Sequence, residues 1–192
     1  MAIEPEVYSL LTKDRWEHTQ GVVDTALELR SRHYPVLDPE RVKMSALLHD
    51  CGKDLPLAML LKKASDFGIV LTSFDLLCPQ VIHAPISAGL ARYQFHVTDK
   101  DILQAIAYHT TGKPQMSDLA KLIFVADYIE PGRKYPGVDA LRIKARSDLD
   151  VALLACIDQT LHFLLQQGSF IHPRMVRTRN YYLLHGNKST KI

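Results

Sequence analysis

The sequence has few of the features that mark secreted, membrane-bound or nucleic-acid-binding proteins. It contains three cysteines, Cys51, Cys78 and Cys156, which are widely spaced and form no C-x-x-C pair. Such a set predicts reduced thiols and a cytoplasmic protein. No apolar run approaches ~18 residues, so we expect no membrane-spanning segment. The acidic start of the chain does not resemble a signal peptide. The net charge of +2, without a basic block, argues against nucleic acid as a partner.

Strand-type alternation of apolar and polar residues is also missing, apart from a doubtful stretch at residues 69–71. Apolar residues instead recur at spacings of three and four, which predicts helices. One runs from about Asp14 to His33, and another, rich in leucine, stops near Gly168. Further helices are predicted to begin near Pro39, Pro56, His83 or Ala84, Asp99, Ser117, Val138 and Arg174. We therefore expect about eight to ten helices in one compact all-α bundle, a single domain over residues 1–192.

The dipeptide His49-Asp50 is the first candidate for a functional motif. With nine His and fifteen Asp in the chain, roughly 0.7 such pairs are expected by chance, so the dipeptide alone means little. Its context is more informative. The pair closes an apolar helical segment and is followed by Gly52-Lys53, a helix stop and a cation. His49 lies three residues after Ala46, which predicts that its side chain faces the core.

Polar residues are predicted to face the interior on other helices as well. His18, His109 and Asp127 each lie three or four residues from apolar neighbours, and His83 opens another apolar helix. A single inward imidazole is more often a hydrogen-bonded core residue. A buried carboxylate needs donors, a cation or a metal, and no Arg or Lys occupies a matching inward position on the same helices. Because imidazole and carboxylate together are ligands of iron, manganese or zinc, the pattern predicts a metal centre.

These residues resemble the pattern of the HD-domain metal-dependent phosphohydrolases, in which a first His, an HD pair and a distant Asp come from separate helices. The matching residues are His18, His49, Asp50 and Asp127, and His83 and His109 resemble the additional pair of the members that bind two metals. The resemblance implies a helical HD-domain fold. It also implies that His49 and Asp50 bind a metal, and do not only stabilise the fold.

Four longer segments narrow the resemblance to the YqeK family, which are bacterial symmetrical bis(5′-nucleosyl)-tetraphosphatases. They are LLHDCGK (residues 47–53), AYHTTG (107–112), LAKLIFVADYIEPGRKYPGV (119–138) and FIHPRMVRTRN (170–180). The third segment is the longest and most specific of them. The resemblance extends from about Arg15 to Tyr182, nearly the whole chain.

This resemblance implies hydrolysis of diadenosine tetraphosphate, and of related dinucleoside polyphosphates, to two molecules of ADP. Iron is the expected cofactor, as one or two ions, with manganese or another divalent metal as the alternative. The first metal would take His18, His49, Asp50 and Asp127, and a second would take His83 and His109 with Asp50 bridging. A bound metal lowers the pKa of its water toward ~7, which would provide a hydroxide nucleophile.

Cleaving a phosphoanhydride also calls for cations beside the metal. Lys53, one helical turn after the HD pair, is the first candidate, and together with Asp50 it is expected to be catalytic. Arg133, in a loop rich in Gly and Pro, is the second candidate, unless it is a solvated loop cation. Thr110 directly follows His109 and either donates to a phosphate oxygen or caps the end of a helix.

By resemblance, further substrate contacts lie at the start of the last helix, where they would border the nucleoside. The predicted substrate-binding residues there are Ile171, His172, Pro173 and Arg174, in addition to His83 and His109. From the sequence alone this segment is only a Pro-marked helix start whose free amides could receive phosphate. Arg15, three residues before His18, either orients a substrate or carboxylate or forms a surface ion pair.

Two other functions remain open from the sequence. An HD-type nucleotidase or phosphodiesterase acting on another nucleotide would use the same metal ligands. A non-catalytic nucleotide-binding or interaction module would keep only the helical scaffold, but all six ligand positions hold metal-competent residues. A homodimer is also possible, because an apolar helix face predicts core and interface equally well.

Overall fold

A computed structural model describes residues 3–186, and all the regular secondary structure in that range is helical. The helices are α1 (Glu4–Ser9), α2 (Lys13–His33), α3 (Pro39–Leu48), α4 (Leu57–Asp66), α5 (Ser73–Leu77), α6 (His83–Tyr93), α7 (Lys100–Ala107), α8 (Asp118–Ile129), α9 (Val138–Ser147), α10 (Leu149–Gln166) and α11 (Pro173–His185), with a 3₁₀ helix at Pro79–Val81. The predicted all-α bundle is confirmed. The ends of the proposed domain, residues 1–2 and 187–192, lie outside the described residues.

Four of the predicted helix starts are confirmed by side chains that cap them. Thr12, Asp38, Asp99 and Ser117 each accept a hydrogen bond from a backbone N–H in the first turn of α2, α3, α7 and α8. These caps satisfy amides that have no partner inside the helix. The residues at 69–71 form a loop rather than a strand.

The expected number of eight to ten helices was too low, because residues 3–186 contain eleven α-helices. The two that the sequence did not reveal are α1 and α5, which have six and five residues. A helix shorter than two turns shows too few residues for a 3.6-residue period to be recognised.

Helix α8 forms the centre of the bundle. Its residues Leu122–Ala126 are fully buried, and it packs against α2, α3, α7, α9 and α10. A helix that is apolar on all sides is stable only when other elements cover every face. The consequence is that a polar residue in the last turn of α8, Asp127, is delivered to the interior of the protein.

The loop between α8 and α9 is held from one side by Arg142 of α9. Its guanidinium donates to the carbonyl oxygens of Ile129, Glu130 and Arg133 at 2.9, 2.8 and 3.0 Å. Gly137, with φ of 91°, then reverses the chain into α9 in a conformation that favours glycine. These bonds give the loop a defined shape although most of its residues are exposed.

Helix α10 is the one described helix that is long and apolar enough to cross a membrane by length and composition alone. It packs against α8, α9 and α11 through residues such as Leu153, Cys156 and Ile157, which are fully buried. One such helix is weak evidence for a membrane span, because a core helix passes the same test. Phe163 and Leu165, near its end, are 58% and 68% exposed.

We predict that Phe124→Ala lowers the free energy of unfolding by about 3–5 kcal/mol, because the substitution leaves a cavity in the central helix. Phe124 is fully buried, and its ring stacks on that of Tyr128 at 5.9 Å. The matched control is Ile143→Ala on α9, where the side chain is 69% exposed. Urea denaturation of both variants measures the effect. Equal loss of stability in the two would contradict the central role of α8.

Candidate active site

The six predicted ligand residues meet in one buried cluster, with Asp50 at its centre. Asp50 Oδ1 lies 3.0 Å from His83 Nε2 and 3.3 Å from His109 Nε2. Asp50 Oδ2 lies 3.5 Å from His49 Nε2 and 3.8 Å from His18 Nε2. Each oxygen of this one carboxylate therefore faces a different pair of imidazoles.

Helix ends bring several of these side chains together. His49 and Asp50 follow α3, His109 follows α7 after one residue, and Asp127 lies in the last turn of α8. The carbonyl end of a helix carries a partial negative charge, so three such ends around one point favour a bound cation. The other two imidazoles come from the first turns of α2 and from the start of α6. The prediction that the ligands belong to separate helices agrees with this arrangement.

Three of the imidazoles are held in the tautomer that a metal ligand requires. His49, His83 and His109 each donate from Nδ1 to the carbonyl oxygen three residues earlier, at 2.6, 2.9 and 2.8 Å. A carbonyl can only accept, so the proton resides on Nδ1. The Nε2 lone pairs then point into the cluster. Two of them, on His83 and His109, face each other at 3.1 Å.

The fourth imidazole, His18, is oriented by a residue that the sequence did not reveal. Its Nδ1 lies 3.1 Å from Oε1 of Glu130, a buried carboxylate that also accepts from the N–H of Gly132. A Cβ atom at Gly21 would lie only 2.7 Å from Glu130 Oε2, so the glycine leaves room for this carboxylate. A carboxylate behind a histidine ligand is common at metal sites, where it fixes the ring and strengthens the ligand. The available signal was a Glu three residues after Asp127.

The donor atoms of the cluster fit a divalent cation. Nε2 of His18, Nε2 of His49 and Oδ1 of Asp50 are buried and have no hydrogen-bond partner among the described residues. Such atoms are costly to bury unless a ligand satisfies them. The sets with donor atoms within 4.8 Å of one another are His18–His49–Asp50, His49–His109–Asp127 and Asp50–His83–His109. Because the sets overlap, the cluster has donors for one cation or for two.

The charges of these residues also suit a metal. Burial lowers the pKa of His49 to about 4 and that of His83 below its ordinary value, so both rings are neutral near pH 7. Burial alone would raise the pKa of Asp50, but the neighbouring imidazoles, His49 foremost, hold it well below its usual range. The pKa of Asp127 is likewise lowered, against burial, by His18 and Arg133. Neutral imidazole and ionised carboxylate are the forms that bind metal.

The carboxylates of Asp50 and Asp127 each accept a hydrogen bond from an arginine side chain outside the cluster. Arg15 of α2 donates to Asp50 Oδ2 at 2.9 Å, and Arg133 of the α8–α9 loop donates to Asp127 Oδ1 at 2.5 Å. The sequence offered Arg15 as a residue that orients a carboxylate, but it did not identify Asp50 as the partner, because the contact joins α2 to the end of α3. Arg15 is 25% exposed and its partner 4%, so it orients a buried carboxylate rather than forming a surface ion pair.

Lys53 lies beside the cluster, as its position one turn after the HD pair predicts. Its Nζ is 3.5 Å from Nδ1 of His83, and burial lowers its pKa from the ordinary value. Thr110 follows His109 directly and is half-buried. Lys53 is thus placed at the edge of the cluster, within reach of a group bound there.

The start of α11 covers the loop that follows His109. Arg174 lies 5.4 Å from the ring centroid of Tyr108 and donates to Thr111 Oγ1 at 3.5 Å. His172 uses both ring nitrogens within the protein: Nδ1 accepts from the N–H of Arg174 at 3.1 Å, and Nε2 donates to Asp75 at 3.2 Å. His172 therefore joins the start of α11 to Asp75 of α5, and its contact with substrate stays a prediction. Ile171 and Pro173 are half-buried beside it.

The class of protein follows from these features together with a family comparison. An all-helical bundle that gathers a first His, an HD pair and a distant Asp around one buried point has the arrangement expected of an HD domain. The family model for the HD domain matches residues 15–132, which include all six cluster residues. The chain belongs to the HD-domain family.

Particular relatives narrow this assignment. The chain is 38% identical over 178 residues to the symmetrical bis(5′-nucleosyl)-tetraphosphatase of Halalkalibacterium halodurans, with 91% of each protein covered. It is 39% identical over 171 residues to the enzyme of the same description from Bacillus subtilis, covering 89% of this chain and 90% of that protein. The chain is also 37% identical to a protein from Clostridium acetobutylicum whose crystal structure is described as that of a predicted HD superfamily hydrolase involved in NAD metabolism. The two structures match with a TM-score of 0.91, and the match covers 95% of each chain. The resemblance predicted from the sequence is confirmed.

We predict that Glu130→Gln weakens divalent-metal binding by about 10–100-fold, because the neutral amide no longer strengthens and orients His18. The substitution keeps the shape of a side chain enclosed by Gly21 and Gly132. Glu17→Gln on the exposed surface of α2 is the matched control. Competition with a chelator measures the affinity in each protein. Unchanged affinity in Glu130→Gln would show that the contact with His18 does not support the metal.

Proposed function

We propose that the protein is a metal-dependent hydrolase that cleaves diadenosine tetraphosphate, and related dinucleoside polyphosphates, symmetrically into two nucleoside diphosphates. The observation that carries the proposal is the buried Asp50 carboxylate with one imidazole pair on each oxygen, flanked by cations. The names and near-full-length coverage of the relatives support this substrate rather than another nucleotide.

The proposed metal ligands form two groups that share Asp50. His18, His49, Asp50 and Asp127 would hold the first ion, and His83 and His109 would hold a second with Asp50 between them. The division of the Asp50 oxygens supports this assignment. We propose iron as the metal, with manganese as the alternative, because imidazole and carboxylate suit both. When bound, the metal supplies a nucleophilic water near neutral pH and neutralises charge on the phosphoryl oxygens.

The side chains around the cluster would handle the charge of the substrate. Phosphoryl transfer spreads negative charge over several oxygens, and fixed cations stabilise it most strongly where water is excluded. Arg133 and Arg15 stand at the cluster and keep their orientation through contacts with Asp127 and Asp50, and Lys53 Nζ lies 3.5 Å from His83. The hydroxyl of Thr110, the residue after His109, would donate to a phosphate oxygen. Arg174 would border a nucleoside.

We also propose a cytoplasmic location and no stable association with nucleic acid or membrane. All three cysteines are free and buried, as in proteins kept in a reducing compartment. A net charge of +2 supports a small anionic substrate rather than a polyanion.

The substrate is tested by analysing products. We predict that the iron- or manganese-loaded protein converts diadenosine tetraphosphate to ADP alone, measured by ion-exchange chromatography. Asp50→Asn, which keeps the shape of the side chain but removes its charge, should lower kcat/KM by at least about 100-fold. ATP and AMP in equal amounts would reject symmetrical cleavage. A clear preference for nucleoside monophosphates or cyclic nucleotides would instead favour another HD-type activity.

We predict that Lys53→Met lowers kcat/KM for diadenosine tetraphosphate by about 100-fold, because one cation at the transferring phosphoryl group is lost. Methionine keeps most of the length of the side chain, so packing changes little. Lys62→Met, in which the lysine is 65% exposed on α4, is the control. Equal activity of the two variants would exclude Lys53 from the reaction, provided that both retain the same metal content.

A further inference from the structure

A large cavity lies beside the metal cluster, between the end of α8, the loop after it and the second half of α10. Its volume is about 720 Å³, within the ~300–1,000 Å³ of ordinary small-molecule sites. We call it the α10 cavity. Its walls include Tyr128, Tyr135 and Phe163, together with Gln159 and Gln166. None of the substrate contacts predicted at residues 171–174 belongs to its lining.

One side chain connects the α10 cavity to the cluster. Arg133 lines the cavity, and its guanidinium donates both to the carboxylate and to the carbonyl oxygen of Asp127. A single guanidinium therefore separates the cavity from the Asp127 oxygen that faces the cluster. A phosphate chain that leaves the cluster past Arg133 would therefore extend toward the cavity.

The cavity and the start of α11 adjoin different parts of the cluster. Arg174 reaches Thr111, next to the side of the cluster where His83 and His109 face Asp50 Oδ1. Arg133 reaches Asp127, next to the side where Asp50 Oδ2 faces the other imidazole pair. Symmetrical cleavage requires the central phosphates to lie at the metal cluster. Each nucleoside diphosphate half must then extend away from it in its own direction.

The lining of the α10 cavity suits an uncharged, aromatic group. Of its nine described lining residues, Arg133 alone carries a permanent charge, and it stands at the side of the cluster. Phe163 is 58% exposed, so its ring is free to stack on a base, and Tyr135 is held by a hydrogen bond from its hydroxyl to the carbonyl oxygen of Tyr128. The amide of Gln166 offers a donor and an acceptor for a base edge or a ribose.

We propose that the α10 cavity binds one nucleoside of the dinucleotide substrate, while the other nucleoside lies against the start of α11. This inference rests on the proposed function and adds a binding site to it. Arg133 marks the boundary, where the phosphate chain ends and the nucleoside begins. The cavity thereby selects substrates that carry a nucleoside at both ends of the polyphosphate.

The test compares variants of the cavity with a neighbour on the same helix. Phe163→Ala combined with Gln166→Ala should raise KM for diadenosine tetraphosphate about tenfold and leave kcat within about twofold, because the lost contacts are equally strong in the ground state and the transition state. Leu165→Ala, whose side chain is 68% exposed and outside the cavity, should keep the wild-type KM. Metal content and circular dichroism are measured for each variant.

Inorganic phosphate provides a probe without a nucleoside. Its inhibition constant against diadenosine tetraphosphate should be unchanged in the double variant, because phosphate occupies the cluster and not the cavity. An unchanged KM for diadenosine tetraphosphate, or an inhibition constant that rises together with KM, would overturn the inference. Failure of the wild-type protein to release ADP would instead refute the proposed function itself, so the two failures are distinguishable.

Discussion

The burial of the Asp50 carboxylate among imidazole lone pairs is the constraint on which the site depends. His49, His83 and His109 each have their proton fixed on Nδ1 by a backbone carbonyl, so their Nε2 atoms can only accept. Acceptors that face one another and a carboxylate in a buried space are unfavourable without a cation. Burial of the apolar helices therefore offsets the unfavourable free energy of this cluster, and a bound metal would remove that cost.

The α8–α9 loop couples the cluster to its surroundings. Glu130 orients His18 from behind, and Arg133 contacts Asp127 from the side of the α10 cavity. Arg142 holds the carbonyl oxygens of both residues, so a side chain outside the site determines the path of the loop. Gly21 and Gly132 leave room for the Glu130 carboxylate.

Much of the fold could be predicted because its signals are local. The capping residues Asp99 and Ser117 mark helix starts directly in the sequence, and the structure has helices where they indicate. The short helices α1 and α5 escaped because fewer than two turns show no period. The role of Glu130 and the identity of the carboxylate that Arg15 contacts escaped for another reason. The partners of Glu130 and Arg15 are 112 and 35 residues away in the chain.

The sequence by itself determined which histidine and aspartate side chains lie on apolar helix faces. These side chains are the six members of the cluster. The helical period is enough for this, because it assigns each side chain to a face. Only the tertiary structure decided how the six are oriented, which oxygen of Asp50 faces which imidazoles, and that a cavity adjoins Arg133. Those features arise from the packing of helices against each other, and residue spacing along one helix carries no information about the position of another.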